Sequence, residues 1–294
     1  MIKLVSWKTQ RRIVPYIFIA PAMLLLAIFT FYPIISSIRM SLCEWDIIGT
    51  PRFIGLRNYA TTLSDMTFRH ALLVTFLFVG VTVPVNVTLA LLTAILLNGR
   101  LALRNLFRSI IFFPAFTSMV AIGMLWKYMY STDYGIINYI ITLFGGHPKD
   151  WLANPAWAPW SLMLTSVWYG FGWNMVIFLA GLQNIPDQYY EAAAIDGASK
   201  WAAFRFITLP LLKPISLFVV VMAVIYAFRM FDLVYVMTMG GPGTSTMVLM
   251  MYFYRQAFIM LRMGQGSAVA LILFVVVFFF TVLQLRFFKG EVSY

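Results

Sequence analysis

Six stretches of this chain are long and apolar enough to cross a lipid bilayer, which leaves helices as almost the only structure it can build. They lie near residues 13–38, 70–97, 107–129, 157–182, 214–238 and 267–288. A helix needs about 20 apolar residues to cross the hydrocarbon. Inside it each backbone N–H and C=O must be satisfied within the segment, so every run is expected to be helical. The expected fold class is all-α, a polytopic membrane protein with about six transmembrane helices, and residues 1–294 form a single transmembrane domain. Composition agrees: 62% of residues are hydrophobic and 11% charged, whereas a soluble chain carries about a quarter charged residues. The run from Ile13 to Ile38 exceeds the apolar core of a signal peptide and has no Ala-x-Ala site after it, so it is read as a retained first span.

Basic residues in short flanks set orientation. Lys3, Lys8, Arg11 and Arg12 precede the first run; Arg100, Arg104 and Arg108 separate the second from the third. Lys200, Arg205 and Lys213 follow the fourth, and Arg286 and Lys289 the sixth. On the opposite side Arg52, Arg57, Lys149, Arg255 and Arg262 are partly offset by Glu44, Asp46, Asp65, Asp133 and Asp150. Both termini and the loop after the fourth run are therefore expected in the cytoplasm. This distribution also accounts for the net charge of +11 with no nucleic-acid partner.

Several chemistries are excluded. Cys43 is the only cysteine, and His70 and His147 are far apart, so no metal-ligand spacing is present. No Gly-x4-Gly-Lys-Ser/Thr phosphate cradle occurs. Gly170 and Gly172 lack the following lysine and suit close helix packing or a wide cavity. Asn86-Val87-Thr88 matches a glycosylation acceptor but falls inside a span, and the adjacent Pro84 is expected to kink that helix. Turns are expected at Gly49-Thr50-Pro51, at Phe144–Pro148 and at Gly240-Gly241-Pro242-Gly243. Met247–Phe258 is apolar but short, as in a re-entrant or surface helix.

The loop 184–213 is a polar, helix-prone island. Pro186 suits a first helical turn, and Asp187 and Glu191 lie where the helix dipole favours negative charge. Gly197 can end that helix in a left-handed conformation; Ser199 can cap a second, which Pro210 is expected to stop. The pattern Glu191-Ala192-Ala193, three residues, Gly197, nine residues, Ile207, one residue, Leu209-Pro210 resembles the EAA loop of the permease subunits of binding-protein-dependent ABC importers. Pro15–Pro21 with Tyr32-Pro33, Phe53–Tyr59, and Gly240-Gly241-Pro242 followed by Thr244 resemble the sugar permeases of the maltose-transporter-like group, in particular its larger permease.

This resemblance implies a type I ABC importer permease fold in a bacterial inner membrane, forming half of a pathway for a carbohydrate. It implies a second permease, two ATPase subunits and an external solute-binding protein as partners, within the lipid bilayer. ATP and Mg belong to the partner ATPase, leaving this chain with no cofactor and no catalytic residue. It assigns Glu191, Ala192, Ala193, Asp196, Gly197, Ile207, Leu209 and Pro210 to ATPase coupling.

Arg229 and Asp232 lie three residues apart in the fifth run, hence on one helical face. They either contact a cavity or form an intrahelical pair at a subunit interface. The fourth run carries Tyr169, Trp173 and Asn174, which suit either a sugar or an interfacial aromatic belt. In the resembled family the spans flanking the cytoplasmic loop line the central cavity. That implies a substrate pathway of Tyr169, Trp173, Asn174, Tyr226, Arg229 and Asp232. The rival reading, a stand-alone ion-coupled secondary transporter, would need paired repeats and an ion site. Asp232 is the one deep carboxylate, and no second half repeats the first.

Overall fold

A computed structural model describes residues 7–99 and 101–287, with side chains from residue 14 on. Lys3, Arg100 and Lys289, the side chains of Lys8, Arg11 and Arg12, and both chain ends lie outside the described residues. Helix α1 (Trp7–Leu26) passes through a π turn (Ala27–Phe31) into α2 (Tyr32–Ser41). A hairpin of β1 (Cys43–Glu44) and β2 (Arg52–Phe53) pairs Cys43 with Phe53, and α3 (Arg57–Ser64) follows. Next come α4 (Met66–Asn98), α5 (Arg104–Phe112), a 3-10 turn (Phe113–Phe116), α6 (Met119–Met129), α7 (Ile136–Leu143) and α8 (Ala158–Gln183). The loop after α8 holds α9 (Asp187–Ile195), α10 (Lys200–Ala203), a π turn (Phe204–Thr208) and α11 (Leu209–Leu211). The chain closes with α12 (Lys213–Phe228), α13 (Asp232–Met237), α14 (Leu249–Tyr254), a π turn (Arg255–Ile259) and α15 (Met263–Phe287).

Among the described residues five helical segments are long and apolar enough to span a membrane, and a sixth span arises if the bent pair α5–α6 counts as one. The third apolar run is therefore helical but broken: its two halves are bent by 102° relative to one another. Helix runs on through Pro114 to Phe116, and the corner falls at Thr117, which is extended, and Ser118. Pro84 sits inside an uninterrupted α4.

The residues group into two compact units, one of residues up to 62 with 255–271, the other of 63–254 with those from 272 on. In the first unit the α2 end is tied to α3: Asn58 Nδ2 donates to the carbonyls of Ser41 and Cys43, both at 2.8 Å. The hairpin turn forms where Gly49-Thr50-Pro51 predicts it, with Trp45 Nε1 donating to the Gly49 carbonyl at 2.8 Å. Gly264 lies so close to the Cys43 carbonyl that a Cβ there would collide with it.

The second unit is built on α4 against α8. Ala90 and Ala94 of α4 are fully buried, and this smallness lets α8 approach with Met175, Phe178, Leu179 and Leu182. Leu212 and Val219 close the cluster from the start of α12. Phe76, Phe228 and Phe280 join α4, α12 and the end of α15 through ring contacts of 5.4–5.8 Å.

Helix α14, in the Met247–Phe258 stretch, is too short to span and packs beside α4. Leu249 N donates to Thr75 Oγ1 at 2.8 Å, and the Tyr252 hydroxyl donates to Asp65 Oδ2 at 2.6 Å. Asp65 also caps α4, accepting from Thr67 N at 2.7 Å. Burial alone would raise the Asp65 pKa, but hydrogen bonds from Tyr252, Thr67 and Phe68 outweigh it and hold the carboxyl below its ordinary value. A carboxyl depressed on folding contributes stability above its unfolded pKa and loses it as pH falls through the folded one. Melting of the assembled protein is thus expected to be flat from neutral pH down to the ordinary aspartate range and to drop below it. Tyr252→Phe should lessen that acid drop; an identical acid limb in both proteins would disprove the link.

Candidate functional site

Residues of both breaks in the spans line one cavity of about 480 Å³. Its walls come from the middle of α8, the α5–α6 corner, the centre of α4 and the break between α12 and α13. Irregular backbone at membrane depth is tolerated where it lines a cavity, so the breaks and the cavity belong together.

Tyr169, Trp173, Asn174, Tyr226, Arg229 and Asp232 all line this one space. Their roles in holding it differ. The Tyr169 hydroxyl donates to the Thr117 carbonyl at 3.2 Å and pins the corner of the bent span. Trp173 stacks on Phe112 at 5.8 Å while about half its surface stays open. Asn174 is buried, and its Nδ2 donates to Asn86 Oδ1 at 2.7 Å. Asn86 Nδ2 in turn reaches the Val167 carbonyl at 3.4 Å.

Arg229 and Asp232 do not share a helical face, as their spacing had suggested. Helix α12 ends at Phe228, Arg229 is its C-cap, Phe231 has φ −138°, and Asp232 opens α13. No ion pair joins them, and both side chains are exposed to the cavity. Arg229 lies at a helix C-terminus and Asp232 at an N-terminus, where the backbone dipoles favour those signs.

Thr82, Asn86, Ala115, Met119 and Phe231 also line the space, and the sequence assigned none of them to the pathway. The Asn86 signal was present as a polar residue in an apolar run, hidden by its resemblance to a glycosylation acceptor. Pro114, just ahead of the corner, was the available sign of it.

Replacing Asn174 by leucine leaves Asn86 Oδ1 buried without its donor, which should cost about 1–2 kcal/mol. The double change Asn86→Leu with Asn174→Leu should recover part of this loss. Thermal melts of the three proteins check it, and strictly additive losses would argue against a coupled pair.

Glycine spacing shapes the walls. A Cβ on Gly170 would press on Asn86 Nδ2 at 2.9 Å, and one on Gly172 would collide with the Ile111 carbonyl.

The polar loop folds as a helical pair. Pro186 is the N-cap of α9 rather than its first helical residue, and Asp187 follows in the first turn. Gly197 has φ +73°, with its N–H bonded to the Ala194 carbonyl at 3.1 Å and that of Ala198 to the Ala193 carbonyl at 2.8 Å. This is the left-handed Schellman ending. Ser199 Oγ accepts from Ala202 N at 3.2 Å and caps α10.

Pro210 does not stop the second helix. The π turn Phe204–Thr208 shifts the register, and helix continues through α11, with a turn at Leu212 before α12. Tyr190 and Thr208 hydroxyls meet at 3.0 Å and clamp α9 to this turn. Glu191, Ala192, Asp196, Gly197 and Pro210 are exposed, while Ala193, Ile207 and Leu209 are half-buried. Ile195, Trp201 and Phe206 add large exposed apolar surface.

A family model described as "Binding-protein-dependent transport system inner membrane component" matches residues 86–290. The chain belongs to this family. The arabinooligosaccharides transport system permease protein AraP of Bacillus subtilis (strain 168) is 37% identical over 96% of this chain and 91% of its own. The lactose transport system permease protein LacF of Rhizobium radiobacter is 39% identical over 83% of each. The trehalose/maltose transport system permease protein MalF of Thermococcus litoralis is 36% identical over 92% of each. A bacterial ABC transporter for import of the acidic polysaccharide alginate has a chain of the same fold, with a TM-score of 0.84 at 22% identity over 98% of this chain and 99% of its own.

The protein is thus an all-α, multi-pass membrane permease of an ABC importer and not an enzyme. Among the described residues no group of three or more His, Cys, Asp or Glu could hold a metal ion.

Proposed function

We propose that this permease carries a carbohydrate and supplies half of the translocation pathway through the cavity between α8 and the α12–α13 break. The observation that carries this reading is the convergence of Tyr169, Trp173, Tyr226, Arg229 and Asp232 on one space of about 480 Å³. Aromatic faces with a few placed polar groups are what a sugar requires. The permeases for arabinooligosaccharides, lactose and trehalose/maltose among its relatives support the same class.

In this reading a second permease supplies the other half, an external solute-binding protein delivers the sugar, and two ATPase subunits hold the ATP and Mg. Both termini and the 184–213 loop lie in the cytoplasm. That loop docks on the ATPase through Glu191, Ala192, Ala193, Asp196 and Gly197, with Ile207, Leu209 and Pro210 joining it to α12. Residues 1–294 act as a single permease domain.

The test is uptake of labelled oligosaccharides into proteoliposomes holding the chain and the products of neighbouring genes. Uptake is expected to need ATP and the binding protein, and Trp173→Ala or Asp232→Asn should reduce it while subunits still co-purify. ATP-independent uptake by this chain alone would overturn the reading in favour of an ion-coupled transporter.

A further inference from the structure

Helix α7 exposes an apolar stripe. Ile136, Tyr139, Ile140, Leu143 and Phe144 recur at one-turn spacing and are between 48% and 84% exposed. Its most buried side chain is polar: Asn138 is 3% exposed, with Ile137 and Ile141 half-buried beside it. Its Oδ1 accepts from Lys149 N at 3.0 Å and Trp151 Nε1 at 2.9 Å, while its Nδ2 donates to the carbonyls of Lys149 at 2.9 Å and Thr132 at 3.4 Å. A helix with its polar residue buried in its own loop and its apolar stripe outward is inverted relative to one facing water.

The loop is anchored at a definite depth. Ser161 Oγ donates to the Trp151 carbonyl at 3.1 Å, and the Tyr130 hydroxyl donates to the Ser161 carbonyl at 3.2 Å. Helix α8 has 26 residues, about 39 Å at 1.5 Å per residue, against about 30 Å of hydrocarbon. A centred α8 overshoots by about three residues at each end, which puts Ser161 at the hydrocarbon boundary. The loop holding α7 is fastened at that level, beside Tyr134 and Trp157, residue types that favour the interface.

We infer that α7 lies flat in the bilayer interface, on the side opposite the Glu191 loop, with its Ile136–Phe144 stripe immersed in lipid. The occupant of the exposed face is lipid because the stripe bears no charge and is held at the depth where acyl chains begin. This placement requires only that α8 spans the membrane, whatever the solute.

The test is nitroxide accessibility in the complete transporter in liposomes, with Cys43→Ala removing the native thiol. Labels go on Ile140→Cys, Leu143→Cys and Phe144→Cys, with Asp133→Cys as the polar comparison. Accessibility to oxygen is expected to exceed that to a water-soluble nickel chelate at the three stripe positions, with the ratio inverted at Asp133. Nickel-dominated relaxation on the stripe would overturn the inference in favour of a water-facing surface. Low accessibility to both would overturn it in favour of a protein partner. Should Cys43→Ala impair assembly, quenching of a bimane on Phe144→Cys by brominated lipids reads the same contact in the chain that keeps its buried Cys43; no quenching would count against lipid.

Discussion

Gly172→Val is expected to prevent accumulation of a correctly assembled protein. The added Cβ would collide with the Ile111 carbonyl and crowd the Phe112 Cα at 3.3 Å. Those are backbone atoms of α5 and cannot rotate aside. Overpacking against movable side chains costs about 1–3 kcal/mol, and displacing a helix costs more. The damage would also reach the cavity, because Phe112 stacks on Trp173 and the α5–α6 corner is one of its walls. Gly181 offers the contrast. Its nearest obstacle is the tip of Ile215, a side chain able to adopt another rotamer, so Gly181→Ala should be milder than Gly172→Ala. Membrane levels and thermal melts of the purified transporter check both. Wild-type stability and uptake in Gly172→Val would show that α5 does not pack as described.

Under the proposed docking of the 184–213 loop on an ATPase, Gly197→Pro is expected to weaken solute-stimulated ATP hydrolysis while leaving membrane insertion intact. Proline cannot adopt φ +73°, and it removes the N–H that bonds the Ala194 carbonyl. The turn that fixes α10 against α9 then opens, although neither helix reaches into the apolar spans. In that proposed docking, a loss of about 1.4 kcal/mol would lower affinity about tenfold. Stimulated ATPase activity is therefore expected to fall about tenfold or more. Glu191→Lys, exposed at the middle of α9, should weaken the same docking by reversing a charge without altering the fold. Normal solute-stimulated ATPase in both variants would remove the loop from the coupling pathway.

The loop was legible in the sequence because its structure is set by local chemistry. A proline and an aspartate open α9, Gly197 ends it and Ser199 caps α10, each acting within a few residues. Pro186 fell one position early, at the N-cap, and the misreading of Pro210 as a stop came from treating that proline alone. The π turn at Phe204–Thr208 shifts the hydrogen-bond register ahead of it, and nothing in the local pattern announces that turn.

The helical class and the multi-pass character followed from the sequence alone, because hydrocarbon offers backbone groups no partner outside a helix. The position of the breaks did not. Arg229 and Asp232 read as neighbours on one face, yet the helix ends between them. Asn86 read as a discarded glycosylation site, yet it meets Asn174 from 88 residues away. Apolar periodicity is nearly silent in helices whose lipid-facing and protein-facing sides are both apolar, so it could not say which side faced which neighbour. The sequence determined that the chain crosses the membrane as helices and carries a two-helix polar loop. Tertiary structure alone decided where those helices bend and which distant side chains share a cavity, because close packing of glycines, alanines and paired asparagines is chosen between segments and not within them.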